Sequence, residues 1–313
     1  MLSLSKFSSF NTRWQIPTGR GTNFSPTAYP QGQYWATAND TCFVFFSYSL
    51  NFAYGDAFDA AYGVVTNSSP NWPTCVAYNP TANEYLFAGF YNSGYEYGRI
   101  SKSTDLITCS SVFEETTANT RLSDILWDGV KYIALARTFS GTTLYTGSSS
   151  SNITKRFNNA SLFLAYPASS GTAIVLIGGA TLYYLTSPFT TLNSIDFSAY
   201  GSLLSNVYAF GKFWVTTSSG SVLNSTNGIN WTASTTVPST TGYYSQIGFG
   251  GGILILAEQF GNVSVPSAIG NLYISSNGSS WKNLGQSPGQ VNQIFITSKI
   301  ITIVGNNGAF TSP

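Results

Sequence analysis

The chain has 313 residues, of which 8% are charged and 16% aromatic, and its formal net charge is +1. So small a net charge gives no indication that the chain binds nucleic acid or an anionic membrane. The chain contains no histidine, which excludes Ser-His-Asp and Cys-His nucleophiles, histidine metal sites and histidine general acid/base catalysis.

The first residues, "MLSLSKFSSF", lack a basic region followed by a long apolar run, so no signal peptide is predicted. The longest apolar stretch begins at Ala173 and is too short for the ~20 residues of a membrane helix. Cys42, Cys75 and Cys109 show no metal-ligand spacing and are predicted to be small apolar side chains. Neither a metal nor a cofactor is expected.

Seven short apolar runs of strand length follow one another along the chain. They are rich in β-branched and aromatic residues and are bounded by turn residues, as is typical of strands buried on both faces. Consecutive runs begin 39 to 47 residues apart. Their first residues are Phe43, Tyr85, Tyr132, Ile174, Phe213, Ile253 and Ile300.

Each run has a second strand-like segment just upstream, and a Gly- or Asn-bearing turn separates the two, which predicts a β-hairpin. Hairpins repeating at this period indicate β-propeller blades. We therefore predict an all-β, seven-bladed β-propeller with four-stranded blades, in which residues 1–313 form a single domain. The blades are predicted near residues 31–72, 73–110, 121–158, 161–196, 204–233, 243–284 and 290–313.

A short phrase recurs after the third strand, as "STNGINW" at 225–231 and "SSNGSSW" at 275–281. Asn227-Gly228 and Asn277-Gly278 are predicted to form two-residue turns with positive φ at both positions. This register places Trp231 and Trp281 on the fourth strand, opposite Asn224 and Ile274. The segment "VVTNSSPNW", which ends at Trp72, has the same shape.

The segment "SSFNTRW" at 8–14 also matches the phrase, through its Ser pair and Trp14. The last repeat ends before a fourth strand. Residues 1–17 are therefore predicted to supply the outer strand of the last blade and to close the ring, which removes an exposed sheet edge.

The two phrases resemble shortened Asp-box turns of sialidase-like β-propellers, with Asn in place of Asp and one residue fewer. They are also similar to repeats in bacteriophage and bacterial surface proteins. A sialidase would be expected to carry an arginine cluster drawn from blades around the ring. No arginine follows Arg156, so such a cluster cannot form, and the resemblance supports the fold more than an activity.

Two aromatic segments are candidates for ligand contact. Residues 90–99 are predicted to be a long loop that carries Tyr91, Tyr95 and Tyr97, and residues 52–63 an insertion with Tyr54 and Tyr62. Aromatic rings stack on sugar faces while their polar edges stay hydrated. The alternative is that these rings pack against a neighbouring blade or subunit.

The preferred function is a non-enzymatic structural or adhesive virion protein, in a phage tail, fibre or receptor-binding assembly. Its expected location is the virion, and its expected partners are other virion proteins in a symmetric assembly, because a surface with few charges suits a subunit. The alternative is a carbohydrate-binding propeller lectin that recognises a host-surface glycan. A sialidase-like glycosidase is the third hypothesis.

Overall fold

A computed structural model of the chain describes residues 35–38, 42–46, 51–56, 63–66, 72–92, 94–105, 108–159, 166–238, 240–262, 265–287, 291–296, 301–305 and 308–312. These residues form β-strands with one 3-10 turn at Ser198–Tyr200. None of the described segments is a helix with the length and apolar character needed to cross a membrane.

The strands form six four-stranded sheets and one three-stranded sheet, and each is a meander of sequence neighbours. The first three sheets contain β1 (Trp35–Ala38), β2 (Cys42–Phe46), β3 (Asn51–Asp56), β4 (Gly63–Thr66), β5 (Trp72–Asn79), β6 (Glu84–Asn92), β7 (Glu96–Ser103), β8 (Ser110–Glu114), β9 (Arg121–Trp127), β10 (Tyr132–Thr138), β11 (Gly141–Gly147) and β12 (Thr154–Asn159). The remaining sheets contain β13 (Tyr166–Ser169), β14 (Ala173–Gly178), β15 (Thr181–Thr186), β16 (Asn193–Asp196), β17 (Leu203–Ala209), β18 (Lys212–Thr217), β19 (Val222–Ser225), β20 (Thr232–Ala233), β21 (Tyr243–Gly250), β22 (Ile253–Asn262), β23 (Val265–Ser275), β24 (Lys282–Gln286), β25 (Val291–Ile296), β26 (Ile301–Gly305) and β27 (Gly308–Ser312). The prediction of an all-β chain is confirmed.

The seven apolar runs are the second strands of the seven sheets, from β2 to β26. Burial explains their composition: Tyr132–Ala136 of β10 and Ala173–Ile177 of β14 are buried at every position. A strand covered on both faces needs apolar side chains on both, which removes the usual alternation. The fourth strands β12, β16 and β20 are mostly exposed.

The described residues divide into two compact units. The first unit holds residues of Gly32–Pro167 and Thr186–Thr191, and its core includes Leu86, Ile100 and Leu122. Cys75 is buried in the same core, as predicted for a small apolar side chain. The second unit holds Ala168–Leu185 and the described residues of Leu192–Pro313. Apolar clusters among its described residues are centred on β14 and β18, on β22 with β21, and on β22 with β23 and β25.

A β-bulge recurs in the first strand of five sheets, opposite the second strand. The extra residue is Thr74, Ser123, Leu204, Ser245 or Asn292. A bulge bends its strand and increases the local twist. The bulge occurs near the beginning of the first strand in each of these sheets. The sheets therefore share a detail of backbone geometry that the apolar sequence pattern does not reveal.

Two sequence predictions are corrected by the strand register. Trp72 does not end a turn phrase of the first sheet, because it begins β5 and is the register partner of Phe90 in the second sheet. Residues 52–63 are not simply an insertion, because Tyr54 lies within β3 and is the register partner of Val44 and Gly63. The predicted closing strand at 1–17, with Trp14, lies outside the described residues, and so does Tyr62.

Candidate functional site

The β6–β7 connection is a tight hairpin and not the predicted long loop. Asn92 pairs with Glu96 and Tyr91 with Tyr97 in the ladder. The two tyrosine rings stack with centroids 5.4 Å apart, and the guanidinium carbon of Arg99 lies 4.0 Å from the Tyr91 ring centre. Tyr91 and Tyr97 therefore pack against each other within their own sheet, whereas the alternative to ligand contact predicted packing against a neighbouring blade or subunit.

Tyr95 differs from its two neighbours because it lies at the tip of this hairpin. Its side chain is 59% exposed. Phe139 has the corresponding place at the tip of the β10–β11 hairpin in the next sheet, and it is 85% exposed. The sequence reasoning missed Phe139, although a lone aromatic residue between turn residues in "RTFSGT" was a usable signal.

The two hairpin tips lie at the same end of their sheets. The hydroxyl of Thr74, near the beginning of β5, donates to the carbonyl of Leu122, near the beginning of β9. The beginnings of these two strands are therefore adjacent. Because Trp72 pairs with Phe90 and Arg121 with Arg137, the ends of β6 and β10 lie at this end too.

Charged side chains link the two sheets at this end. Both Nε and Nη2 of Arg121 donate to the carboxylate of Glu96, and the Arg121 guanidinium lies 4.8 Å from the ring centre of Phe90. Arg137 is directly opposite Arg121 on the neighbouring strand and is exposed. We call the set Tyr95, Glu96, Arg121, Arg137 and Phe139 the hairpin surface.

A second group of polar contacts supports this end of the sheets. Arg99 forms a 2.8 Å ion pair with Glu114, and Glu115 accepts hydrogen bonds from the Tyr145 hydroxyl and from the amides of Thr116 and Thr117. Burial by itself would raise the pKa of Glu115, but these hydrogen bonds outweigh it and lower the pKa. The carboxylate therefore stays ionised and orders the β8–β9 connection.

Carboxyl groups are also buried elsewhere, among them those of Glu84, Glu258 and Asp124, and no described hydrogen bond joins two of these three. Glu84 accepts from the hydroxyls of Tyr132 at 2.7 Å and Ser150 at 3.2 Å. Glu258 accepts from the Nδ2 of Asn271 at 3.0 Å. Burial raises the pKa of Asp124 to about 7, although the Ile125 amide hydrogen-bonds to the carboxylate and opposes this. Among the described residues, no three Cys, Asp or Glu side chains are grouped closely enough to hold a metal ion.

The two Ser-Asn-Gly turns have one hydrogen-bond pattern. Ser225 Oγ accepts from the Asn227 and Gly228 amides, and Ser275 Oγ accepts from the Asn277 and Gly278 amides. The amide oxygen of each Asn accepts from the backbone two and three residues further on. A short polar side chain thus replaces backbone partners in the turn.

This geometry corrects the predicted two-residue turn. Gly228 and Gly278 have φ of 76° and 72°, whereas neither Asn is among the residues with positive φ. The ladder resumes only at Thr232, opposite Asn224, and at Lys282, opposite Ile274. Trp231 and Trp281 therefore belong to the turn and not to the fourth strand, so their predicted cross-strand partners are wrong.

A third copy of the turn occurs in the first unit without tryptophan or Asn-Gly. Ser103 Oγ donates to Asp105 Oδ1, which also accepts from the Thr108 amide at 2.8 Å. Cys109 follows Thr108 and has the place of the tryptophan. The repeated feature is therefore a Ser followed two residues later by Asn or Asp.

No family model matches the sequence, and no curated protein sequence matches it. Solved structures do resemble the fold. YCF48 bound to a D1 peptide has a TM-score of 0.65 at 14% identity, over 90% of each chain. YCF48 from Cyanidioschyzon merolae has a TM-score of 0.64 at 11% identity, over 96% of this chain and 98% of that one. The WD40 β-propeller domain of Doa1 has a TM-score of 0.63 at 12% identity, over 90% and 92%. At such low identity the likeness shows a β-propeller fold and nothing further.

Proposed function

We propose that the chain is a non-enzymatic binding component of a larger assembly, namely a structural or adhesive virion protein of a phage tail, fibre or receptor-binding complex. The observation that carries the proposal is the hairpin surface. Two aromatic residues, Tyr95 and Phe139, are exposed at the same end of neighbouring sheets as Arg121 and Arg137. Exposed aromatic and arginine side chains are the residue types that contribute most to protein interfaces.

The occupant that this surface fits best is a polypeptide segment of a neighbouring assembly protein. The exposed guanidinium group of Arg137 can bind carbonyl or carboxylate oxygens, and the Tyr95 and Phe139 rings offer apolar area. Arg121 is held by Glu96 and links the two sheets. A β-propeller with a similar fold, YCF48, has been solved with a bound peptide. This precedent supports peptide recognition by a propeller of this size without identifying the peptide.

Glycan binding is the second candidate, because Tyr95 is a solvent-facing ring with a polar edge. A glycan array distinguishes the two candidates. A lectin would bind specific sugars on the array, and the Tyr95→Ala variant would lose this binding. An assembly component would bind no sugar on the array.

We also propose that the seven sheets are the blades of one ring and that residues 1–17 complete it. The last sheet, β25–β27, has three described strands, whereas the other sheets have four. Deleting residues 1–17 should lower the thermal midpoint strongly if they supply the fourth strand of that sheet. An unchanged midpoint would contradict closure by this segment.

The assembly role is tested on particles of the source virus. Mass spectrometry should find the chain in purified particles, and the double variant Tyr95→Ala/Phe139→Ala should fold normally but be depleted from them. Ile229→Ala is a matched control, because Ile229 is also exposed and apolar but lies in a Ser-Asn-Gly turn. Particles that lack the wild-type chain, or that incorporate the double variant fully, would overturn the proposal.

A further inference from the structure

Each of the two Ser-Asn-Gly turns contains an Asn-Gly pair, a sequence that is prone to deamidation. In an Asn-Gly sequence the glycine amide nitrogen can attack the Asn side-chain carbonyl carbon, because no glycine side chain hinders the approach. The new N–C bond closes a succinimide, and the amide proton leaves with the side-chain nitrogen as ammonia. Water then opens the ring to Asp or to isoaspartate. Asn227 and Asn277 are exposed to solvent, so water has access to both.

The fold holds both reacting groups in other interactions. The Gly228 amide donates to Ser225 Oγ at 2.9 Å, and the Gly278 amide donates to Ser275 Oγ at 2.8 Å. The Asn277 oxygen accepts from the Ser279 amide at 2.8 Å and from the Ser280 amide at 3.0 Å. Attack therefore requires the loss of the serine hydrogen bond and rotation of a carboxamide that two amides hold in place.

We propose that Asn227 and Asn277 are latent deamidation sites, which the serine two residues upstream keeps unreactive while the turn is closed. Each site reacts only when its own turn opens, so the two copies act independently. The serine thus has a chemical role in addition to its structural one.

The two products of the reaction have opposite consequences for the turn. Aspartate fits, because Asp105 already makes the same contacts in the third copy, with Ser103 and the Thr108 amide. Isoaspartate inserts an extra methylene into the backbone, so the Ser279 and Ser280 amides can no longer both reach the side-chain oxygen. Each deamidation event therefore either preserves the turn or opens it permanently.

The test follows the Asn-to-Asp mass change at both sites in the full chain, by peptide mapping after incubation in mildly alkaline buffer. Ser275→Ala should accelerate deamidation at Asn277 about tenfold, the factor for loss of one hydrogen bond of ~1.4 kcal/mol. Asn227 in the same molecules is the internal control and should keep its wild-type rate. Ser225→Ala should reverse the pattern, and Ser276→Ala should change neither site.

A second experiment uses only the wild-type protein, so it tests the proposal even if Ser275→Ala does not fold. Wild-type protein is incubated folded and, in parallel, unfolded in guanidinium, where Asn227 and Asn277 should react at least about tenfold faster, because unfolding releases the same serine hydrogen bond. Equal rates in the folded and unfolded protein would overturn the proposal. So would an unchanged Asn277 rate in a folded Ser275→Ala variant.

Discussion

The two Ser-Asn-Gly turns of the second unit have the same hydrogen bonds from the turn backbone to the Ser and Asn side chains, but their surroundings differ. In the first, Trp231 Nε1 donates to the Gly228 carbonyl at 3.0 Å. In the second, Thr236 Oγ1 donates to the Gly278 carbonyl at 3.2 Å, and the buried Trp281 Nε1 has no partner among the described residues. The Ser and Asn therefore fix the turn itself, while residues outside the phrase decide how it packs.

The largest expected difference between the copies is at the glycines. A Cβ at Gly278 would lie 2.6 Å from Cζ2 of Trp214, whereas one at Gly228 would lie 3.0 Å from a methyl group of Val175. Both positions also have positive φ, which costs a residue with a Cβ about 1 kcal/mol. With overpacking of 1–3 kcal/mol, we expect Gly278→Ala to lose about 3 kcal/mol and Gly228→Ala about 2 kcal/mol. Guanidinium unfolding measures both, and equal losses would contradict the difference in packing.

The second prediction concerns the serine that both turns share. Ser275→Ala leaves the Gly278 amide, which is buried, without its acceptor, and it removes the acceptor of the Asn277 amide as well. We expect a loss of about 2 kcal/mol in unfolding free energy. Ser225→Ala should cost a similar amount, because its contacts match. Ser276→Ala, at an exposed neighbouring position, should leave the unfolding curve unchanged, and a comparable loss there would argue against the hydrogen-bond explanation.

The third prediction uses the tryptophans. Replacement by Phe removes similar apolar area from both turns, but only Trp231→Phe breaks a described hydrogen bond. Trp281→Phe removes a buried donor with no partner, so part of its packing loss is recovered. We expect Trp231→Phe to cost about 1 kcal/mol more than Trp281→Phe in the same unfolding assay. The reverse order would indicate that Trp281 Nε1 binds an ordered water.

These differences also explain how far the sequence could predict the structure. The pairing of first and second strands was predictable, because runs such as Tyr132–Ala136 are buried on both faces and therefore carry an unmistakable composition. The turn type was not, because Asn277-Gly278 matches a two-residue hairpin equally well until the hydrogen bonds of Ser275 are considered.

The candidate site was less predictable than the fold. Tyr91, Tyr95 and Tyr97 were indistinguishable in sequence, yet the strand register stacks two of them and exposes the third. Phe139 and the Arg121–Arg137 pair depend on which strands are neighbours in space. Local composition does not contain that information, so Glu96, Arg121 and Arg137 could be found only in the structure, whereas Phe139 had a local signal in its turn sequence.

The smallest expected effect is the most direct test of what the side-chain oxygen of Asn277 does. Asn277 makes its described side-chain contacts through Oδ1 as an acceptor, to Ser275, Ser279 and Ser280. A carboxylate accepts the same bonds, as Asp105 does in the first unit. Asn277→Asp should therefore change the unfolding free energy by less than about 0.5 kcal/mol, within the range of a neutral surface substitution, whereas Asn277→Ala should lose about 2 kcal/mol. If the Asp variant were as unstable as the Ala variant, the amide nitrogen would be essential, and the equivalence of Asn277 and Asp105 would be wrong.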